Sequence, residues 1–111
     1  MRRKGTMAET KVEKFFRANG IKARRNPLRG ARDRGDIWLP NGVVVSVKDD
    51  ASMRIGSWLR DAEEQASNET AESGDPHTFV LVVKERRGPM QTGKVEDWWV
   101  ITRLREYVKH D

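Results

Sequence analysis

Nine residues separate Gly35-Asp36 from Ser46-Val47-Lys48, and the two ends carry a carboxylate, a hydroxyl and an ammonium. Side chains alternate along a strand, so Ser46 and Lys48 share one face. Whether Asp36 joins them depends on the turn between. A three-residue turn, Pro40-Asn41-Gly42, pairs Leu39 with Val43 and sets Asp36 opposite Ser46 on that face. A two-residue Asn41-Gly42 turn opposes Asp36 to Val47 instead. Directly before Asp36, the bases Lys22, Arg24, Arg25, Arg29, Arg32 and Arg34 fall within 13 residues against one acid. Arg86 and Arg87, with Lys84 and Lys94, flank a second, Gly-containing segment. Both clusters read as contacts to backbone phosphates, with recognition by shape because no base-reading pattern is evident. The competing reading of each is a solvated charge run.

These side chains need elements to hold them. Thr6-Met7-Ala8-Glu9 fits a capping box, and Ala8, Val12, Phe15 and Phe16 follow at helical spacing until Asn19-Gly20, which predicts a helix over about 7–19. A short strand over 21–26 and a Gly/Arg loop over 28–34 follow. The runs 36–39 and 43–48 are β-prone and joined by a hairpin signal. A second helix is expected over 55–73, with Ile55, Trp58, Leu59, Ala62 and Ala66 on one side, acids on the other, and Gly74-Asp75-Pro76 as its stop. The apolar run 78–83 suits a strand covered on both faces. Residues 86–93 read as a basic loop, 98–102 as a strand and 104–109 as a short helix. The order α-β-β-β-α-β-β-α gives an α/β domain with a mixed β-sheet flanked by helices. Of the four tryptophans, Trp38 and Trp58 suit core or interface positions, and adjacent Trp98 and Trp99 point to opposite faces, leaving one for a dimer contact.

A length of 111 residues fits one domain over 6–111 behind a basic tail, 1–5, expected to be mobile. With no cysteine, thiol nucleophiles and Cys-based metal sites are excluded, and no apolar run approaches the ~20 residues needed to span a bilayer. No signal-peptide pattern is seen, so the expected compartment is the cytoplasm, that of a host cell if the chain is phage-encoded. The net charge is +5, but six carboxylates lie between Asp61 and Asp75 with no base among them, leaving 22 bases against 11 acids elsewhere. A field of that sign points to a polyanion, nucleic acid before membrane. His77 and His110 are too isolated to form a metal pair or a triad.

Together, Lys4-Gly5-Thr6 with Glu9, the run from Arg29 to Asp36, the following hairpin and Ser46-Val47-Lys48 resemble the PD-(D/E)xK nuclease superfamily. Within it they are similar to the Holliday junction resolvases of the archaeal and bacteriophage type, over roughly residues 4–85. Asp49 after the lysine and Trp58 in the next helix match the phage members. The resemblance implies a restriction-endonuclease-like fold and an endonuclease that resolves four-way junctions, acting in DNA recombination. It implies Mg²⁺, with Mn²⁺ as a substitute, held by Glu9, Asp36, Ser46 and the Val47 carbonyl, with Lys48 offsetting charge. It also implies DNA contacts from Lys4, Arg24, Arg25, Arg29, Arg32, Arg34, Arg86 and Arg87. Paired nicks in a junction ask for two-fold symmetry, hence a homodimer.

The chain departs from the family at residue 46, where the pattern asks for Glu or Asp and a poorer ligand, Ser, stands. Three readings compete: weak ligation with Asp49 or Asp50 compensating, an inactivating substitution, or a DNA binder of the same fold that does not cut. Compensation by Asp49 requires the strand to end at Lys48. A nuclease acting on a different DNA substrate, and a protein-interaction module using the acidic face of the second helix, also fit these residues. Glu9 as part of a helix cap is the plain structural reading of that residue.

Overall fold

A computed structural model of the chain describes residues 4–26, 36–85 and 94–110. The two expected loops, with Arg29, Arg32, Arg34, Arg86 and Arg87, lie outside these residues. Five strands form one sheet in chain order: β1 (Arg24–Arg25), β2 (Ile37–Leu39), β3 (Val43–Lys48), β4 (Thr78–Val83) and β5 (Trp99–Ile101). Neighbours are antiparallel except β3 and β4, which run parallel. A parallel pair needs a crossover, and α2 (Ile55–Ser73) supplies it. The described residues therefore form a small α/β domain with a mixed five-stranded sheet and three α-helices.

The faces of β3 explain the layers. Val43, Val45 and Val47 point to α1 (Lys4–Ala18), where Ala8, Val12 and Phe16 meet them with Ile37, Val82 and Trp98. Val44 points the other way, onto Ala62 and Ala66 of α2 with Phe79, while Trp58 of α2 covers Leu81 and Val83. With both faces covered, β3 and β4 require near-continuous Val/Leu sequence. Truncating fully buried Ile37 or Leu81 to Ala would cost about 2–5 kcal/mol.

The hairpin pairs Leu39 with Val43. Asn41 and Gly42 both adopt left-handed backbone, at φ 67° and 72°. A Cβ on Gly42 would stand 2.7 Å from the Pro76 carbonyl oxygen, and the Gly42 carbonyl accepts the Thr78 amide at 2.9 Å. Glycine is required there on both counts, and the turn is thereby pinned beneath the start of β4.

Several expectations change. Helix α1 begins at Lys4, so Thr6 lies within the helix rather than at its N-cap, and residues 1–3 of the expected tail lie outside the described residues. The capping-box reading of Glu9 falls with it, because at that position the carboxylate meets a tertiary partner instead. The strand expected over 21–26 contracts to two residues, since the Ala23 amide turns back to the Ile21 carbonyl at 2.8 Å. A 3₁₀ turn over Val95–Asp97 delays β5 to Trp99, and α3 (Leu104–Tyr107) passes into another at Val108–His110. Trp98 is buried on the α1 side, while Trp99 is half-buried and packs on the Trp58 cluster. Val100, Leu104, Tyr107 and Val108 are the apolar residues left exposed at this end.

Candidate active site

The three-residue turn brings Asp36 beside Ser46, one step past the Ile37–Val45 pair. Strand β2 stops at Ile37 while β3 continues to Lys48, so the outer edge of β3 loses its ladder partner there. The Asp36 carboxylate substitutes for it: Oδ2 accepts the Val47 amide N–H at 2.8 Å. A strand residue sends its N–H and C=O to the same side, so the Val47 carbonyl faces this edge as well. Backbone bonds hold Asp36 itself in place, its amide donating to Val45 and its carbonyl accepting from Asn26, each at 3.0 Å.

Ser46 does not face the same space. It is 1% exposed, and its hydroxyl donates to Oε1 of Gln65, which reaches down from α2 and is itself buried. The expected convergence of carboxylate, hydroxyl and ammonium is thus only partial, because the neighbouring helix draws the hydroxyl into the core. Lys48 follows on the same face, half-buried at the end of β3. Its carbonyl accepts the Lys84 amide at 2.9 Å, continuing the parallel ladder one step.

Glu9 lies on the α1 side of the sheet. Its Oε1 accepts from Nη2 of Arg25, whose Nη1 donates to Thr10 Oγ1 at 3.2 Å. Since Arg25 pairs with Ile37 in the ladder, this ion pair stands next to Asp36 in chain position. Strand β3 does end at Lys48, yet the Asp49 side chain is only 4% exposed and sits 3.7 Å from Lys84 Nζ. The Lys84 ammonium in turn lies 5.8 Å from the Trp98 ring centre. Asp50 is used locally, accepting the Ser52 amide and hydroxyl at 3.0 Å each.

Among the described residues, no group of three Asp, Glu or His side chains is arranged to hold a metal ion. Ser46 does not fit the ligand role, being buried against Gln65. The Asp36 carboxylate and Val47 carbonyl do fit a hard divalent ion, which prefers oxygen donors.

Of the DNA-contact candidates, Arg24 is exposed with its guanidinium 5.1 Å from the Trp38 ring centre, Arg25 is engaged by Glu9, and Lys4 opens α1. The acidic face of α2 is partly neutralised from within, as Glu63 pairs with Arg103 at 3.0 Å and with Arg105. Gln65 is the residue that reading the sequence missed. Its position falls inside the stripe Trp58, Ala62, Ala66, so helical spacing alone could have flagged a polar group entering the core. Comparison with protein-family models finds no match, and comparison with curated proteins finds none either.

Proposed function

We propose that this domain is a metal-dependent endodeoxyribonuclease with a restriction-endonuclease-like fold that resolves four-way DNA junctions as a homodimer. The observation that carries the reading is Asp36, locked to the Val47 amide beside Lys48 where the parallel strands β3 and β4 end. Carboxyl ends of parallel strands are where α/β sheets place ligands. The basic excess of the chain lies around this end in sequence, as a polyanionic substrate requires. Bound Mg²⁺ would supply a water nucleophilic near neutral pH and neutralise charge on the phosphate. Asp36 and the Val47 carbonyl are the groups to hold it, with Glu9 as a second carboxylate. Lys48 offsets negative charge gathering on the phosphate.

One observation favours a second reading. Ser46 turned into the core against Gln65 leaves the site one carboxylate short, which suits a DNA-binding protein that keeps the fold without cutting. Nicking of a synthetic four-way junction decides between them. The first reading expects paired nicks with Mg²⁺, none with EDTA and none with Asp36→Asn. Metal-independent, salt-sensitive binding without nicking overturns it in favour of the second. Equal cutting of linear duplex removes the junction specificity and leaves the nuclease.

A further inference from the structure

We propose that a cleft beside Trp38 holds one nucleotide unit of the DNA strand flanking the candidate active site. The proposal rests on the reading that the partner is DNA. The cleft has a volume of about 260 Å³ and is lined by Lys22, Arg24, Trp38, Pro40, Glu69 and His77 among others. Pockets enclosing drug-sized ligands measure ~300–1,000 Å³, so this one suits a single nucleotide and not a longer ligand. Only its Trp38 side approaches the candidate site: Trp38 is two residues from Asp36 in the chain, whereas Gly42, Val43 and His77 stand at the start of β3 and β4, the opposite end from Lys48. The distance between Trp38 and Asp36 is roughly 7 Å, about two base steps of DNA at 3.4 Å each.

The lining offers a group for each part of a nucleotide. Arg24 lies over the Trp38 ring, which holds a planar cation at the mouth, where a phosphate meets its N–H edge. Lys22 adds a second charge. The Nδ1 atom of His77 is 2.7 Å from the Asp75 carbonyl, which can only accept, so Nδ1 donates there and the ring is fixed in the cleft wall. Glu69 supplies the opposite chemistry: it lines the cleft and is 5% exposed. A carboxylate repels a bare anion but accepts the exocyclic N–H of a base, most directly the amine of cytosine. Trp38 provides an apolar plate beside it. A second hollow, lined by Arg17, Ile21, Lys22 and Arg24, shares two of these bases and prolongs the positive track outward.

Nuclear magnetic resonance titration with deoxycytidine 5′-monophosphate, with inorganic phosphate as the parallel arm, tests the assignment. The nucleotide is expected to shift the amides of Lys22, Arg24, Gly42 and His77 and the Trp38 indole. Inorganic phosphate should do so at least ten-fold more weakly. Lys22→Ala combined with His77→Ala, checked for an unchanged fold by circular dichroism, should abolish those shifts and weaken junction binding about ten-fold. Equal responses to nucleotide and phosphate overturn the proposal, as does wild-type junction affinity in the double variant. If wild type neither binds nor nicks a junction while the nucleotide still shifts the cleft, the nuclease reading fails and the nucleotide cleft stands.

Discussion

The Asp36 carboxylate accepts the Val47 amide across 2.8 Å, completing at the edge of β3 a ladder that β2 leaves unfinished. One side chain thus serves the sheet and the candidate site at once, and its two roles separate by substitution. Asp36→Ala removes the acceptor and should cost about 1–3 kcal/mol, whereas Asp36→Asn keeps an acceptor oxygen and should cost less. Both should abolish junction nicking. Thermal unfolding and nicking measured on the same two variants check this; stable but active Asp36→Asn would remove the carboxylate from the chemistry.

Ser46 and Gln65 form a neutral pair in the core. Ser46→Ala removes the hydroxyl that donates to Gln65 and should destabilise by about 1–3 kcal/mol. Ser46→Glu places a charge there and should lower the melting temperature without metal. Added Mg²⁺ should not restore it, because position 46 faces Gln65 in the core and not the Asp36 edge. Melting curves with and without Mg²⁺ give the answer; recovery with Mg²⁺ would show that residue 46 reaches the metal.

For Glu9 and Arg25 a double-mutant cycle is informative. The pair is partly exposed, so Glu9→Gln and Arg25→Gln should couple by only about 0.5–1 kcal/mol in urea denaturation. If Glu9 also serves catalysis, Glu9→Gln should lower nicking at least ten-fold while Arg25→Gln mainly weakens binding. Equal loss from both would mark a purely structural pair.

Glu106 contributes a pH dependence to stability. Its carboxyl is held below the ordinary value of 4.5, first by the Thr78 hydroxyl and then by Lys109 and Arg105, against an opposing push from burial. A carboxyl lowered on folding contributes stability that is present above its unfolded pKa and is lost as pH falls through the folded one. Urea midpoints measured from pH 7 to 3 should therefore show wild type losing its advantage over Thr78→Val below about 4.5.

Local signals made much of the fold legible. The apolar runs of β3 and β4 and the Gly74-Asp75-Pro76 stop of α2 define their elements without outside help, and their bounds agree with the expected 43–48, 78–83 and 55–73. The relation of Asp36 to Ser46 was readable only as one of two registers, because the choice lies in how Asn41-Gly42 turns. What escaped were partners distant in sequence. A capping box is a four-residue pattern, and it concealed that Glu9 answers to Arg25, 16 positions on. Ser46 meets Gln65 across 19 positions and between two layers, which no period along the strand reveals. Alternation did place Trp98 and Trp99 on opposite faces, one buried against α1 and one half-buried on the α2 side.

Both rims of the sheet are short strands, two residues in β1 and three in β5, and β1 consists of Arg24 and Arg25 alone. An aggregating chain grows by zipping new strands onto exposed backbone, and it needs length and neutrality to do so. Here one rim is barely a strand and is charged along its whole extent. Molecules crowded side by side on a polymer would meet that rim with repulsion, so high local density need not end in fibrils.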